Sequence, residues 1–273
     1  MSDSSVPRRF SLIIVGDEIL SGRRQDKHMA RVIELLAERG LMLSGASFVP
    51  DDRQTLTDVL ARSFASGDIV FCCGGIGATP DDHTRQAAAA ALDLPLVLHP
   101  EARELITQRC ARLAEQGKGS ADMSTPENQH RLQMGVFPQG SEVVHNTYNQ
   151  IPGFFIKDHT FVPGFPIMAW PMIETMLDQR YAQYHHANPH IEHSFMVYGL
   201  PESRITPAME ILERDFPGVH AFSLPSVGED GKRPHIELGV KGEPEAAALA
   251  LAFLREAVAV LGGRFVNDQD APA

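Results

Sequence analysis

At 273 residues, with 43% hydrophobic and 22% charged side chains, the chain is long enough for one large domain or two modest ones around a real core. A formal net charge of −11 gives a surface that repels a polyphosphate backbone, which argues against nucleic-acid binding but leaves room for a small phosphorylated ligand held by backbone N–H groups. No run of ~18 apolar residues is present, so no membrane span is expected, and the apolar stretch 12–15 behind Arg8 and Arg9 is too short for a signal core.

Residues 10–98 alternate strands and helices. The apolar run 10–15 predicts a strand that ends at Gly16. Met29, Val32, Ile33 and Leu36 fall on one helical stripe over 28–39, and Gly40 stops it. Residues 41–49 predict a second strand. Asp52 or Thr55 can cap the next helix, whose inner face is Leu56, Val59, Leu60 and Phe64. Residues 68–73 (DIVFCC) are apolar on both faces, as a central parallel strand should be. Asp82 or Thr84 starts a helix through the alanines 87–91. This βαβαβα order predicts an α/β fold, a doubly wound three-layer αβα sandwich on a mostly parallel sheet.

Beyond residue 100 the pattern loosens. A helix is predicted over 100–115, a loop over 117–125, strands over 141–144, 154–156 and 160–162, and a helix over 166–181 with Pro171 near its start. Residues 184–190 (YHHANPH) suit a linker, and His185, His186, His190 and His193 read as part of a solvated connector because acidic or cysteine partners at fixed spacing are lacking. The order strand 193–198, helix 202–214, strand 220–224, hairpin turn 228–231, strand 235–240, helix 244–261 predicts a second, small α+β domain. The two domains are expected over 8–183 and 191–266, with 267–273 frayed. Cys72 and Cys73 point to opposite faces of one strand, so no zinc cluster is built from them. Reduced thiols and a cytoplasmic location are expected.

Three loops carry chemistry. The densest is 74–84 (GGIGATPDDHT), at the carboxyl end of a central strand, where open parallel sheets bind ligands. Gly74, Gly75 and Gly77 let N–H groups approach an anion, Thr79 and Thr84 offer hydroxyls, and the adjacent acids Asp81 and Asp82 suit a hard divalent cation. The plain alternative is a glycine turn with Asp82 as an N-cap. The dinucleotide fingerprint is incomplete and no P-loop lysine follows. The second loop, 16–22 (GDEILSG), brings Gly16, Asp17, Glu18 and Gly22, with Asp26 close behind. If strands one and three are neighbours, Asp17 and Glu18 approach Asp81 and Asp82. The third is Val162-Pro163-Gly164-Phe165-Pro166, a rigid turn ahead of a helix N-terminus.

On GDEILSG, the acids of Val49-Pro50-Asp51-Asp52, GGIGATPDDHT, the run from Phe137-Pro138-Gln139-Gly140 to Asn146, and VPGFP, the sequence resembles the molybdopterin-binding (MoaB/Mog-like) superfamily. The match is closer to the N-terminal part of the competence/damage-inducible protein A (CinA) family, whose KH-like module the segment from about 191 resembles. The resemblance implies a pocket for molybdopterin or an adenine nucleotide, a divalent metal (Mg, Mn or Co) held by Asp82, Asp81 and Asp51, and possible homo-oligomers. Asp82 and Asp81 would be the catalytic acids, and residues 74–79 would line the phosphate. It leaves open a metal-dependent ADP-ribose pyrophosphatase and a non-catalytic regulatory protein. A C-terminal amidase activity is not expected. The family usually has Asn at His28, Gly-Thr-Ala at Asn149-Gln150-Ile151, and Glu at Met168.

Overall fold

The computed structural model describes residues 8–187, 191–228 and 233–266, and divides between His185 and His186 into two units. The first contains, in chain order, β1 (Phe10–Val15), α1 (Asp17–Leu20), α2 (His28–Ala37), β2 (Leu43–Val49), α3 (Arg53–Ser66), β3 (Ile69–Cys73), α4 (Thr84–Ala91), β4 (Leu96–Leu98), α5 (Pro100–Glu115), α6 (Pro126–Gln133), β5 (Val136–Pro138), β6 (Glu142–Val144), β7 (Gly153–Ile156), β8 (His159–Val162) and α7 (Pro166–Arg180).

Its main sheet runs β2-β1-β3-β8-β7-β6. The first four strands pair in parallel, and β7 runs antiparallel between β8 and β6. Alternation along β1 and β3 decides the layering, because successive side chains leave opposite faces. Phe10, Leu12, Ile14, Ile69, Phe71 and Cys73 enter one core with Val32, Leu35 and Leu36 of α2 and Met172, Ile173 and Leu177 of α7. Ile13, Val15, Val70 and Cys72 enter the other with Leu56 and Leu60 of α3 and Ala87 and Ala88 of α4. Both faces are therefore covered, giving the three-layer sandwich expected from the sequence.

Two polar fixtures lock the layers. The buried Arg39 guanidinium is bidentate to Asp178 of α7 (2.6 and 2.8 Å), tying the two helices of one layer. At the amino end of β8, His159 is 1% exposed, its Nδ1 donates to the Lys157 carbonyl (2.8 Å), and Ser63 of α3 donates to Nε2 (2.7 Å). Asp52 caps α3 by accepting from the Thr55 N–H (2.8 Å), which decides between the two capping candidates.

Some elements depart from the sequence reading. Helix α6 (PENQHRLQ) has only Asn128 and Leu132 buried, so it carries no apolar stripe. Its one local signal is Pro126 at the first turn. Strands β4 and β5 pair with each other over three residues each, too few for a period to register.

The second unit contains β9 (Ile191–Tyr198), α8 (Glu202–Asp215), β10 (His220–Ser226), β11 (His235–Gly242), α9 (Pro244–Val260) and β12 (Arg264–Val266). Its sheet is antiparallel in the order β10-β11-β9-β12, with Phe195, Val197, Leu238 and Val240 facing Ile205, Leu212, Leu254 and Val258 of the helices. The sequence reading ended on a helix. A fourth strand, β12, follows it and pairs with β9. Most of the expected hairpin turn at 228–231, the end of the linker with His190, and the tail 267–273 lie outside the described residues.

Candidate functional site

Parallel pairing in register places the carboxyl ends of β2, β1, β3 and β8 side by side: Val15 lies opposite Val49, Ile14 opposite Cys73, and Cys73 opposite Val162. The loops that leave those ends are tied by backbone bonds. Gly16 N–H donates to the Val49 carbonyl and Gly74 N–H to the Val162 carbonyl, both at 3.0 Å. Gly164 packs against Gly74 so closely that a Cβ on it would lie 3.4 Å from the Gly74 Cα. The three glycine-bearing loops singled out from the sequence thus share one edge of the sheet.

Within the 74–84 loop, glycine is needed at Gly74 and Gly75, whose φ values are 109° and 67°. A Cβ at Gly74 would collide with the Val15 carbonyl oxygen and one at Gly75 with the Thr84 hydroxyl. Thr84 is fully buried; its hydroxyl donates to the Gly74 carbonyl and its N–H to the Gly75 carbonyl, each at 3.0 Å. Its hydroxyl therefore clamps the loop from beneath. Asp82 accepts from the Thr79 N–H (2.9 Å) and the Thr79 hydroxyl, and its carboxylate lies under Gly77. Asp81 is exposed beside it. With these bonds made, the N–H groups of Gly75, Ile76, Gly77 and Ala78 have no protein acceptor among the described residues.

The sequence reading missed Arg85. It is 4% exposed, donates to the Gly77 carbonyl, and leaves its Nε without a partner. Burial lowers its guanidinium from the usual value, while the Asp82 charge works the other way. The available signal was a cation at 85 sharing a helix face with Ala88 and Ala89, a face that is otherwise small and apolar. The loop thus brings a buried, incompletely paired cation and four N–H groups without acceptors next to the carboxylates of Asp81 and Asp82.

The acids fall into two groups. Asp17 N–H donates to Asp51 Oδ2 (2.9 Å) and Asp51 N–H to Asp17 Oδ1 (3.3 Å), linking the loops after β1 and β2. Burial first, then repulsion from Asp17, Glu18 and Asp81, push the Asp51 carboxyl above the usual range, against the pull of the Asp17 N–H. Asp26 accepts from the N–H groups of His28 (2.9 Å) and Met29 (3.0 Å), so it caps α2. Among the described residues no three His, Cys, Asp or Glu side chains gather closely enough to hold a metal ion. The residues as placed do not form a cation cage.

Because burial and then the neighbouring charges disfavour ionised Asp51, the Asp51→Asn variant is expected to be slightly more stable than the parent at pH 7. The advantage should vanish as pH falls and Asp51 itself becomes neutral. Urea titrations at pH 7 and pH 4 check this; equal or lower stability at pH 7 contradicts it.

The third loop is set by Pro163, Gly164 and Pro166, the last starting α7. His28 Nε2 donates to the Gly164 carbonyl (3.1 Å) and its Nδ1 has no partner, so the residue that departs from the family pattern tethers α2 to this loop. Two other departures touch each other: Asn149 Nδ2 contacts Met168 Sδ at 3.5 Å. Asn149 Oδ1 also holds the Ile151 N–H (2.9 Å), and Gln150 is in the left-handed region at φ 66°.

A family model described as "Probable molybdopterin binding domain" matches residues 11–183. A CinA-like protein of Anaeromyxobacter sp. (strain Fw109-5) is 26% identical over 87% of this chain and 60% of its own length. A protein of Aeropyrum pernix is 29% identical over 97% of this chain and 98% of its own. The chain thus spans three fifths of the CinA-like relative and nearly all of the Aeropyrum pernix one. The crystal structure of the protein CinA with unknown function from Thermoplasma acidophilum matches with a TM-score of 0.53 and 24% identity, covering 63% of this chain and 96% of that one, which shows a shared fold.

Proposed function

The chain belongs to the molybdopterin-binding domain family, and from that premise we propose that its 74–84 loop holds the phosphate of a pterin or adenine nucleotide. The carrying observation is the set of four N–H groups, Gly75 to Ala78, without a protein acceptor among the described residues, next to the buried Arg85 guanidinium that donates to the Gly77 carbonyl. Backbone donors with a buried cation bind an oxyanion without a basic surface, which suits a chain of net charge −11. The 16–22 and 162–166 loops supply the walls: Gly16, Asp17, Glu18 and Gly22 on one side, Pro163, Gly164 and Pro166 on the other. Thr79 and Asp82 keep the loop's shape through their mutual hydrogen bonds.

Calorimetry with a pterin phosphate, AMP and ADP-ribose, each with and without Mg²⁺, Mn²⁺ or Co²⁺, tests this reading. Saturable binding is expected for at least one of them. Arg85→Gln is expected to weaken it by roughly 10- to 100-fold, the worth of a hydrogen bond to a charged group. No binding of any of the three sinks the proposal.

A second reading, metal-dependent cleavage of ADP-ribose, draws on the repulsion that Asp17, Glu18 and Asp81 exert at Asp51, since crowded carboxylates attract a cation. Its assay is release of AMP from ADP-ribose with each cation. Activity that is absent, or unchanged in Asp82→Asn, removes it or its proposed acid.

A further inference from the structure

A cavity of about 330 Å³ lies between α5 and the 145–150 loop, and none of the residues lining it belongs to the three loops described above. Leu105, Arg109 and Arg112 face it from α5 at i, i+4 and i+7, the spacing that puts side chains on one stripe of a helix. His145, Tyr148 and Gln150 face it from the loop.

Its chemistry differs from that of the surface around it. The chain carries eleven more acids than bases, yet no Asp or Glu lines this cavity. Neither Arg109 nor Arg112 makes an ion pair among the described residues. Two guanidiniums one helical turn apart, both unneutralised, attract a doubly charged oxyanion and match its oxygens with forked donors. Glu101, at the start of α5, lies 3.0 Å from His145 Nε2 and is engaged by the imidazole.

The loop supplies the rest of a small-molecule site. Tyr148 is 58% exposed, an unusual placement for a large aromatic ring that also lines a cavity. Gln150 holds a left-handed backbone that favours glycine, fixed by its N–H to the Asn146 carbonyl at 2.9 Å, and its buried Oε1 has no hydrogen-bond partner. Turning the amide about its last bond would put its NH2 at that position, where it can donate to an anionic ligand. The volume is at the lower end of those that hold small organic ligands.

We propose that this cavity is a second binding site, for a small phosphate ester bearing a flat ring, with the phosphate on Arg109 and Arg112 and the ring against Tyr148. It does not depend on the 74–84 loop binding anything.

The probes are phenyl phosphate and inorganic phosphate, titrated into the full chain by calorimetry. Phenyl phosphate is expected to bind saturably and several-fold more tightly than inorganic phosphate. The Arg109→Gln/Arg112→Gln variant should weaken it at least tenfold, and Tyr148→Ala should bring it down to the affinity of inorganic phosphate. The titrations are repeated in the Arg85→Gln background, where the share of phosphate binding due to the 74–84 loop is reduced and the share of this cavity is expected to persist. Arg112 is exposed, so Arg112→Gln alone, with its thermal midpoint checked against the parent, gives the answer if the double variant does not fold. The absence of saturable phenyl phosphate binding overturns the proposal. So does binding that, in the Arg85→Gln background, survives the loss of Arg109 and Arg112.

Discussion

Replacing Gly74 with alanine is expected to cost about 3 kcal/mol or more, roughly the sum of a non-glycine residue forced to positive φ and an overpacked contact. The φ of 109° is outside what an L side chain adopts readily, and the new Cβ meets a backbone oxygen, Val15 O, that no rotamer change can move. Relief would require β1 and β3 to separate where they also carry the core residues Ile14 and Cys73. Gly67→Ala is the matched comparison: its φ is 77°, but nothing lies within 4 Å of a Cβ there. It should show only the backbone cost, about 1 kcal/mol. Urea denaturation of both variants checks the difference. If Gly74→Ala is no worse than Gly67→Ala, the close approach of the loop to β1 is not what demands glycine.

The second large effect is a pH dependence of stability centred on His159. Burial pushes this imidazole down to about 4, with the Lys157 carbonyl and the charges of Asp158 and Asp68 opposing the shift. An unfolded histidine titrates near about 6.5. Between those values the unfolded chain takes up a proton that the native chain refuses, so stability falls as pH falls through this window and is fully present above it. At ~1.4 kcal/mol per unit, the total is about 3 kcal/mol. The His159→Gln variant lacks the titrating group. It is expected to be less stable than the parent at pH 7, because the rings of Phe64 and Phe161 pack against the imidazole. The gap should then narrow by about 3 kcal/mol on going to pH 4. Stability curves that stay parallel across that range would show that His159 does not carry the effect.

What could be read from the sequence was whatever repeats with a period or sits in a dense motif. The nearly continuous apolar runs 12–15 and 69–73 marked the central strands, because burial on both faces leaves little room for polar side chains. The glycines and acids of 74–84 marked the loop. What it could not show is how each polar group is satisfied. Thr84, Asp82 and Asp26 were offered as ligand groups; their hydrogen bonds go to Gly74, Thr79 and the first turn of α2. Arg85 was passed over because a single arginine beginning an alanine helix looks solvated, and only the loop folded over it buries it. Asn149 and Met168, nineteen positions apart, read as two separate departures from a family pattern. Their contact makes them one site, a relation carried by the packing of the loop on α7 and by nothing local in the sequence.

The placement of the three cysteines has a practical consequence. Cys72 and Cys73 sit in β3 with one side chain in each core, Cys110 is buried in α5, and burial pushes the thiols of the β3 pair up, away from the reactive thiolate. An alkylating reagent in native buffer reaches them only when the protein opens. The β3 pair is released by disassembly of the whole sandwich, whereas Cys110 belongs to the small cluster with Ile106 and Leu132 and needs only α5 and α6 to part. The chain thus carries two internal stopwatches, one for global unfolding and one for the helix that bears Arg109 and Arg112, and labelling kinetics can time them separately without an added probe.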